Sequence, residues 1–389
     1  MIKQPPFSFY ILVGLFAFTL LTSANALQAQ KSENTFTDTL DNKFDFSEFL
    51  LSQTGFLPVV GILTEPALGF GVGGGGMFFN PFSKKRKQEL RHTLGTGNPP
   101  DMAIAFGFGT ANGTWGTGLV YKGFWLNDRL RYTGVVTWVS VNLDYFGNET
   151  IQLPNPITFN YRGLPFVQGL DVRFYDRFFI GAQYVYFASK ISIKEGVLPP
   201  QITDKELNSI NSVITPTLYY DNRDNLMTPK KGMYIKVKDM INREAWGATF
   251  NYDNYHAFGI GFIPTSPNFI IGIRADYRSV TDNAPYYAQP FIDLRGIPLM
   301  RYQGKKTMVL ETEETWYFNK RWAVVGFLGA GTAFSEFNEM SDNPIFITGG
   351  AGFRYLGARV LGMYMGIDLA VGPEQMALYI VFGGAWNRY

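Results

Sequence analysis

The chain has no cysteine among its 389 residues and only two histidines, His92 and His256. The first absence excludes disulfides, zinc–thiolate centres and a cysteine nucleophile. The second leaves little for metal binding or a serine triad. Neither histidine has a ligand residue three or four positions on, and no Gly-x-Ser-x-Gly occurs. Charge of one sign is also missing: 34 basic against 32 acidic residues give a net +2, which argues against nucleic acid as a partner. The run Gly71-Val72-Gly73-Gly74-Gly75-Gly76 lacks the Lys-Ser/Thr ending and following helix of a phosphate loop, so it reads as a glycine-rich strand. No cofactor or enzymatic activity is implied. Beyond the N-terminus no apolar run approaches eighteen residues, which excludes helical membrane spans. Any crossing of a membrane must then use a closed barrel.

What is abundant is aromatic residues and glycine: 35 Phe, 22 Tyr and 42 Gly. They are arranged in alternating segments. In Leu361 to Val371, Leu, Met, Met, Ile, Leu and Val hold one parity, while Gly, Tyr, Gly, Asp and Ala hold the other. Strand side chains alternate between faces, so one face is apolar and the other small or polar. Turn signals divide the chain into sixteen such strands: 56–64, 68–79, 101–110, 115–126, 130–143, 166–175, 178–190, 212–221, 232–242, 246–261, 268–280, 307–318, 321–334, 345–356, 360–371 and 376–387. The connectors sort by parity. Those after the fourth, sixth, tenth, twelfth and fourteenth strands are short; those at 144–165, 191–211, 281–306 and 335–344 are long. Short periplasmic turns and long outer loops are the habit of outer-membrane barrels. The 80–100 connector, with Lys84-Lys85-Arg86-Lys87, is long where a short one is expected.

The N-terminus fits export: Lys3, an apolar core from Phe9 to Leu21, and Ala24-Asn25-Ala26 as a cleavage site. We therefore expect a signal peptide at 1–26, a short polar periplasmic lead at 27–54 (Asp38, Asp41 and Asp45 among its residues), and a barrel over 55–389. The expected fold class is all-β, a 16-stranded antiparallel transmembrane β-barrel, with the bacterial outer membrane as its place.

Charges then assign the inner face. Arg274, Asp276 and Arg278 share one parity of their strand. So do Lys236 and Lys238, as do Glu311 and Glu313; Arg354 and Asp368 join them. A Lys or Arg facing lipid at mid-depth costs about 2–4 kcal/mol, so all are expected in a hydrated lumen.

Two segments are not generic wall. Asp221-Asn222-Arg223-Asp224-Asn225, followed by Pro229 and Gly232, is a turn signature in which Pro229 fixes φ and Gly232 readmits the backbone to a strand. Leu294-Arg295-Gly296-Ile297-Pro298 lies in the longest outer connector, just before the strand of Glu311 and Glu313. Together these resemble the BamA/TamA-type outer-membrane assembly superfamily, the bacterial surface antigen barrels. The resemblance covers roughly 56–387 and is strongest from 213 onward. It implies that the loop folds back into the barrel. Arg295 and Gly296 match the family's Arg-Gly-aromatic, with Ile297 replacing the aromatic, and Arg295 would meet acids on following strands. Glu313 is the first choice, Glu311 the second, and Asp368 a further candidate. Where the family often has an aspartate on the next strand, this chain has Gly329. The segment from Tyr379 to Trp386 resembles the closing strand.

The resemblance further implies a non-enzymatic role, assisting insertion or translocation of proteins (or lipids) at the outer membrane. Its partners would be membrane lipid and lipopolysaccharide, with unfolded client proteins or a separate periplasmic protein. Only about thirty residues precede the barrel, so the POTRA domains of such assembly proteins are not expected here. A seam weakened by Gly73, Gly75, Gly383 and Gly384 would offer an edge to an incoming strand. The alternative is a passive pore or structural barrel without assembly activity.

Overall fold

A computed structural model describes residues 36–38, 40–47, 49, 57–79, 101–148 and 151–386. The expected signal peptide, the 80–100 connector and residues 387–389 lie outside the described residues.

Seventeen strand segments follow one another: β1 (Leu57–Leu63), β2 (Gly71–Phe79), β3 (Met102–Thr110), β4 (Trp115–Trp125), β5 (Leu130–Gly147), β6 (Gln152–Gly163), β7 (Phe166–Tyr175), β8 (Phe178–Glu195), β9 (Asn208–Asp221), β10 (Gly232–Asn242), β11 (Tyr252–Ser266), β12 (Phe269–Val280), β13 (Lys306–Tyr317), β14 (Trp322–Phe334), β15 (Phe346–Ala358), β16 (Met363–Val371) and β17 (Met376–Phe382). Neighbours pair antiparallel from β1 through to β17. One position is divided. β6 pairs with the far halves of β5 and β8, and β7 with their near halves. The seventeen segments thus fill sixteen positions, and the architecture is a sixteen-position antiparallel barrel.

The wall is inside out relative to a soluble protein. Leu369 is 49% exposed on its outer face, whereas Asp368 and Ala370 beside it are 0% exposed. That inversion requires an apolar surrounding medium. Exposed aromatics gather at the short-turn rim: Trp125, Phe174, Tyr175, Phe178, Trp316, Phe318 and Trp322. A ring of this kind marks a membrane–water interface, where amphipathic rings sit at headgroup level.

Three expectations need correcting. The 144–165 stretch is not a loop. β5 runs on to Gly147, and 152–163 forms β6. Pro154 and Pro156 hid this strand; both fall between paired Gln152 and Ile157, where no ladder hydrogen bond is lost. The strand expected at 246–261 begins at Tyr252 and runs to Ser266, carrying Pro264 beside a register shift. Trp246 instead folds back, its indole N–H donating to the Ser212 carbonyl at 2.6 Å.

The third concerns the seam. β17 ends at Phe382, not at 387, because Gly383 takes φ +78° and turns the chain inward. β1 and β17 come within 8 Å between Cα atoms, yet among the described residues no ladder joins them. Gly383 and Gly384 therefore lie just past the edge strand, their N–H groups donating to the carbonyls of Tyr364 and Met227. Gly73 and Gly75 are one strand in from the edge, opposite Gly61 and Val59 of β1, and do not form the seam. Their missing side chains serve close packing instead: a Cβ on Gly75 would sit 2.8 Å from the Phe106 Cα.

Candidate functional site

The connector from β12 to β13 is long enough to leave the wall and return, and its middle enters the lumen. Three residues drive it inward: Ile292, Leu294 and Ile297 bury against Val309 of β13. The Ile297 side chain thus takes an apolar seat. Gly329 makes this possible, since a Cβ there would meet Leu294 Cδ2 at 2.6 Å. Gly331 does the same for Ile292, whose Cγ2 a Cβ there would meet at 2.7 Å.

That docking delivers Arg295 to three carboxylates. Its Nε donates to Glu311 Oε1 at 2.8 Å, and its Nη1 to Glu313 Oε2 at 2.8 Å and Asp368 Oδ2 at 2.9 Å. The guanidinium lies 3.6 Å from the Phe327 ring centroid. Arg274 Nη1 donates to Glu311 Oε2 at 2.8 Å, and its Nη2 holds the Asp293 carbonyl of the loop at 2.6 Å. Arg354 grips both oxygens of Asp368. Three guanidiniums therefore face three carboxylates, all buried. Carboxylates matched by guanidiniums in this way are the form in which buried charge is tolerated.

The sequence brought Arg295, Glu311, Glu313 and Asp368 forward, and the structure brings all four together. Arg274 and Arg354 were legible only as lumen-facing. The Trp386 contribution was missed. Its indole N–H donates to Glu311 Oε2 at 2.8 Å, so the inturned C-terminal segment ends on the same cluster. The loop also grips the last hairpin directly. Gly296 N–H donates to the Tyr379 hydroxyl of β17 at 2.9 Å. Arg301 forms a fork on Glu374, in the β16–β17 connector, and Tyr302 donates to the same carboxylate at 2.9 Å. The Arg301 hydrogen bonds hold the Glu374 carboxyl below its ordinary range. Gly296 has φ +91°, and a Cβ on it would meet Gly372 N at 2.9 Å, so both conformation and space require glycine.

The turn signature closes on itself. Arg223 forks onto Asp221 at 2.8 and 2.9 Å, Asp224 Oδ1 accepts from the N–H groups of Lys230 and Lys231 at 2.9 and 3.1 Å, and Gly232 takes φ +98°. The neighbouring Asn225 Oδ1 caps the N–H groups of Met227 and Thr228. Asp221 also meets Arg131 of β5 at 3.4 Å, reaching across the lumen side of the wall. His256 is a wall residue. Its Nε2 lies 3.0 Å from Asp276, a carboxylate also held by Arg278.

Above the cluster, at the outer end, the loop packs against the extended strands. Tyr145, Phe159 and Ile191 of the extended strands bury against Tyr286 and Met300 of the loop.

No protein-family model matches the chain, and no curated protein matches it in sequence. Solved structures do. BamA from Haemophilus ducreyi lacking POTRA domains 1–3 superposes with a TM-score of 0.54 at 11% identity, over 85% of this chain and 70% of that one. CdiB from Escherichia coli superposes with a TM-score of 0.55 at 10% identity, over 85% of this chain and 62% of its own. The fold is a β-barrel similar to those of BamA and CdiB. In this barrel the loop from β12 to β13, the cluster on β13 and β16, and the end of β17 form one connected unit.

Proposed function

We propose that the protein assists insertion or translocation of polypeptide at the outer membrane, by offering strand edges at the β1–β17 seam. The observation that carries this reading is the seam itself. Two strands approach without a ladder, and the closing strand is only seven residues long before the chain turns inward. An unpaired edge presents backbone donors and acceptors to an incoming strand, which can add by β-augmentation. The loop unit supports the same reading, because it fastens β17 from the lumen side through Tyr379, Glu374 and Trp386. The edge is then held in place without its own partner. Likeness of fold to BamA and CdiB agrees with this. A passive pore is disfavoured by the occupied lumen and the packed outer end.

The absence of cysteine permits a clean test. One cysteine at Val60 or Ile62 of β1 and one at Leu378 or Ile380 of β17 would lock the seam on oxidation. The assay is insertion of an unfolded barrel substrate into proteoliposomes, read as protease-protected folded product. Oxidation should abolish the stimulation and reductant restore it. A locked barrel that stimulates insertion undiminished would sink the proposal.

A further inference from the structure

At the short-turn rim the polar lead does not hang free. Residues 36–38 and 40–47 lie against the turns after β13 and β15. Arg321 is the anchor: its Nε donates to Asp41 at 2.6 Å, its Nη2 to Asp38 at 2.5 Å, and its Nη1 bonds Asp45. Arg359 Nε donates to Asp38 at 2.5 Å. The backbone joins in, with Phe46 N–H to the Gly357 carbonyl at 2.7 Å and the Tyr355 hydroxyl to the Phe44 carbonyl at 2.6 Å. Tyr355 shares its parity with Phe353, an outward residue, so the lead sits against the outer face of the wall. Its rings (Phe36, Phe44, Phe46 and Phe49) cluster there, and Phe36 and Phe44 remain exposed.

Between this lead and the outer faces of β14 to β17 runs a groove of about 1010 Å³. Its wall is apolar, formed by Trp322, Phe353, Ile367 and Phe382. Its periplasmic lip carries Lys43 and Lys320. Asp41 also lines it, but both its oxygens are taken by Arg321. Lys43 is close enough to Asp41 to help hold its carboxyl low, but among the described residues neither lysine has a salt-bridge partner, and both ammonium groups stand at the mouth of an apolar slot.

We propose that this groove is a binding site for an anionic phospholipid of the periplasmic leaflet. The acyl chain lies along Trp322, Phe353 and Phe382, and the headgroup phosphate meets Lys43 and Lys320. The occupant follows from position and charge together. Apolar walls at girdle depth face acyl chains, and cations just beyond them meet headgroups. The bound lipid then lies on the last two strands before the seam, with the lead as one wall of its site. This stands independently of the assembly reading.

The test uses the purified full chain in detergent, titrated with phosphatidylglycerol or with phosphatidylcholine of the same acyl chains, and read by native mass spectrometry. One phosphatidylglycerol should be retained in preference to phosphatidylcholine. Lys43→Gln/Lys320→Gln should lose about 30-fold in its affinity, two lysine–headgroup contacts' worth. A second readout is quenching by brominated phosphatidylglycerol, whose saturable part should vanish in Trp322→Phe. Equal binding of the two lipids, or unchanged affinity in the double variant, would overturn the site as an annular contact only. Competition by inorganic phosphate alone would overturn it as a free-anion site. A barrel-strand peptide that binds the groove and excludes lipid would reassign it to polypeptide.

Discussion

Removing the Arg295 guanidinium tests the lumen unit most directly. In Arg295→Ala, Glu311, Glu313 and Asp368 keep only Arg274 and Arg354, and a neutral buried cluster acquires one uncompensated negative charge. Breaking a buried ion pair from one side costs about 3–5 kcal/mol, since the abandoned partner stays desolvated. The stacking on Phe327 at 3.6 Å is lost as well. The strain falls on the loop and on Glu311, the carboxylate that also holds Trp386. Two measurements should move together. In planar bilayers the parent should show small, flickering conductance, because the loop fills the lumen, and the variant larger openings. The temperature at which the folded form is lost in gel mobility should also fall. Arg295→Lys retains the charge without the fork and should lie between them. Adding Glu313→Gln to Arg295→Ala restores neutrality and should recover part of the thermal loss. Large, steady parental conductance that Arg295→Ala leaves unchanged would refute both the brace and the assembly reading.

Three other outcomes are expected. Gly296→Ala forces a side chain onto φ +91° and against Gly372, at a cost of about 1–3 kcal/mol, and should loosen the loop without altering any charge, read as enlarged conductance with the same ion selectivity. Trp386→Phe keeps a ring but removes the donor to Glu311, a charge-assisted bond of about 1.5–3 kcal/mol, and should lower thermal stability where Trp322→Phe does not. The docked lead should be acid-labile. Burial opposes ionisation of Asp38, but Arg359 and Arg321 outweigh it, while the Arg321 hydrogen bond directly holds Asp41 low. Both folded values lie below the ordinary aspartate value of about 3.9, so their stabilisation is complete above it and lost as pH falls through the folded values. A single spin label at Leu40 should therefore stay immobile at pH 5 to 7 and be released only below about pH 4; release near pH 6 would exclude these carboxylates as the latch.

The sequence by itself determined the wall. Alternation is a local property with a period of two, and a charge at one parity is forbidden on a lipid face whatever its neighbours are. Sixteen wall positions and the inner faces of their strands could therefore be read from residues alone, though not the strand at 152–163. Arg274, Arg354 and Asp368 were legible as inward for that reason. Only the tertiary structure decided which inward charges meet. Arg295 and Asp368 are 73 residues apart, and Arg321 and Asp38 are 283 apart. Their pairing depends on barrel registers and on where a loop or a lead re-enters the wall. It also decided where strands stop: β17 ends at Phe382, where the chain turns inward at Gly383 and carries Trp386 to Glu311, and β6 persists through two prolines because they fall where no partner is required. Alternation gives each residue a face, but a barrel brings distant faces together, and no local pattern carries that information.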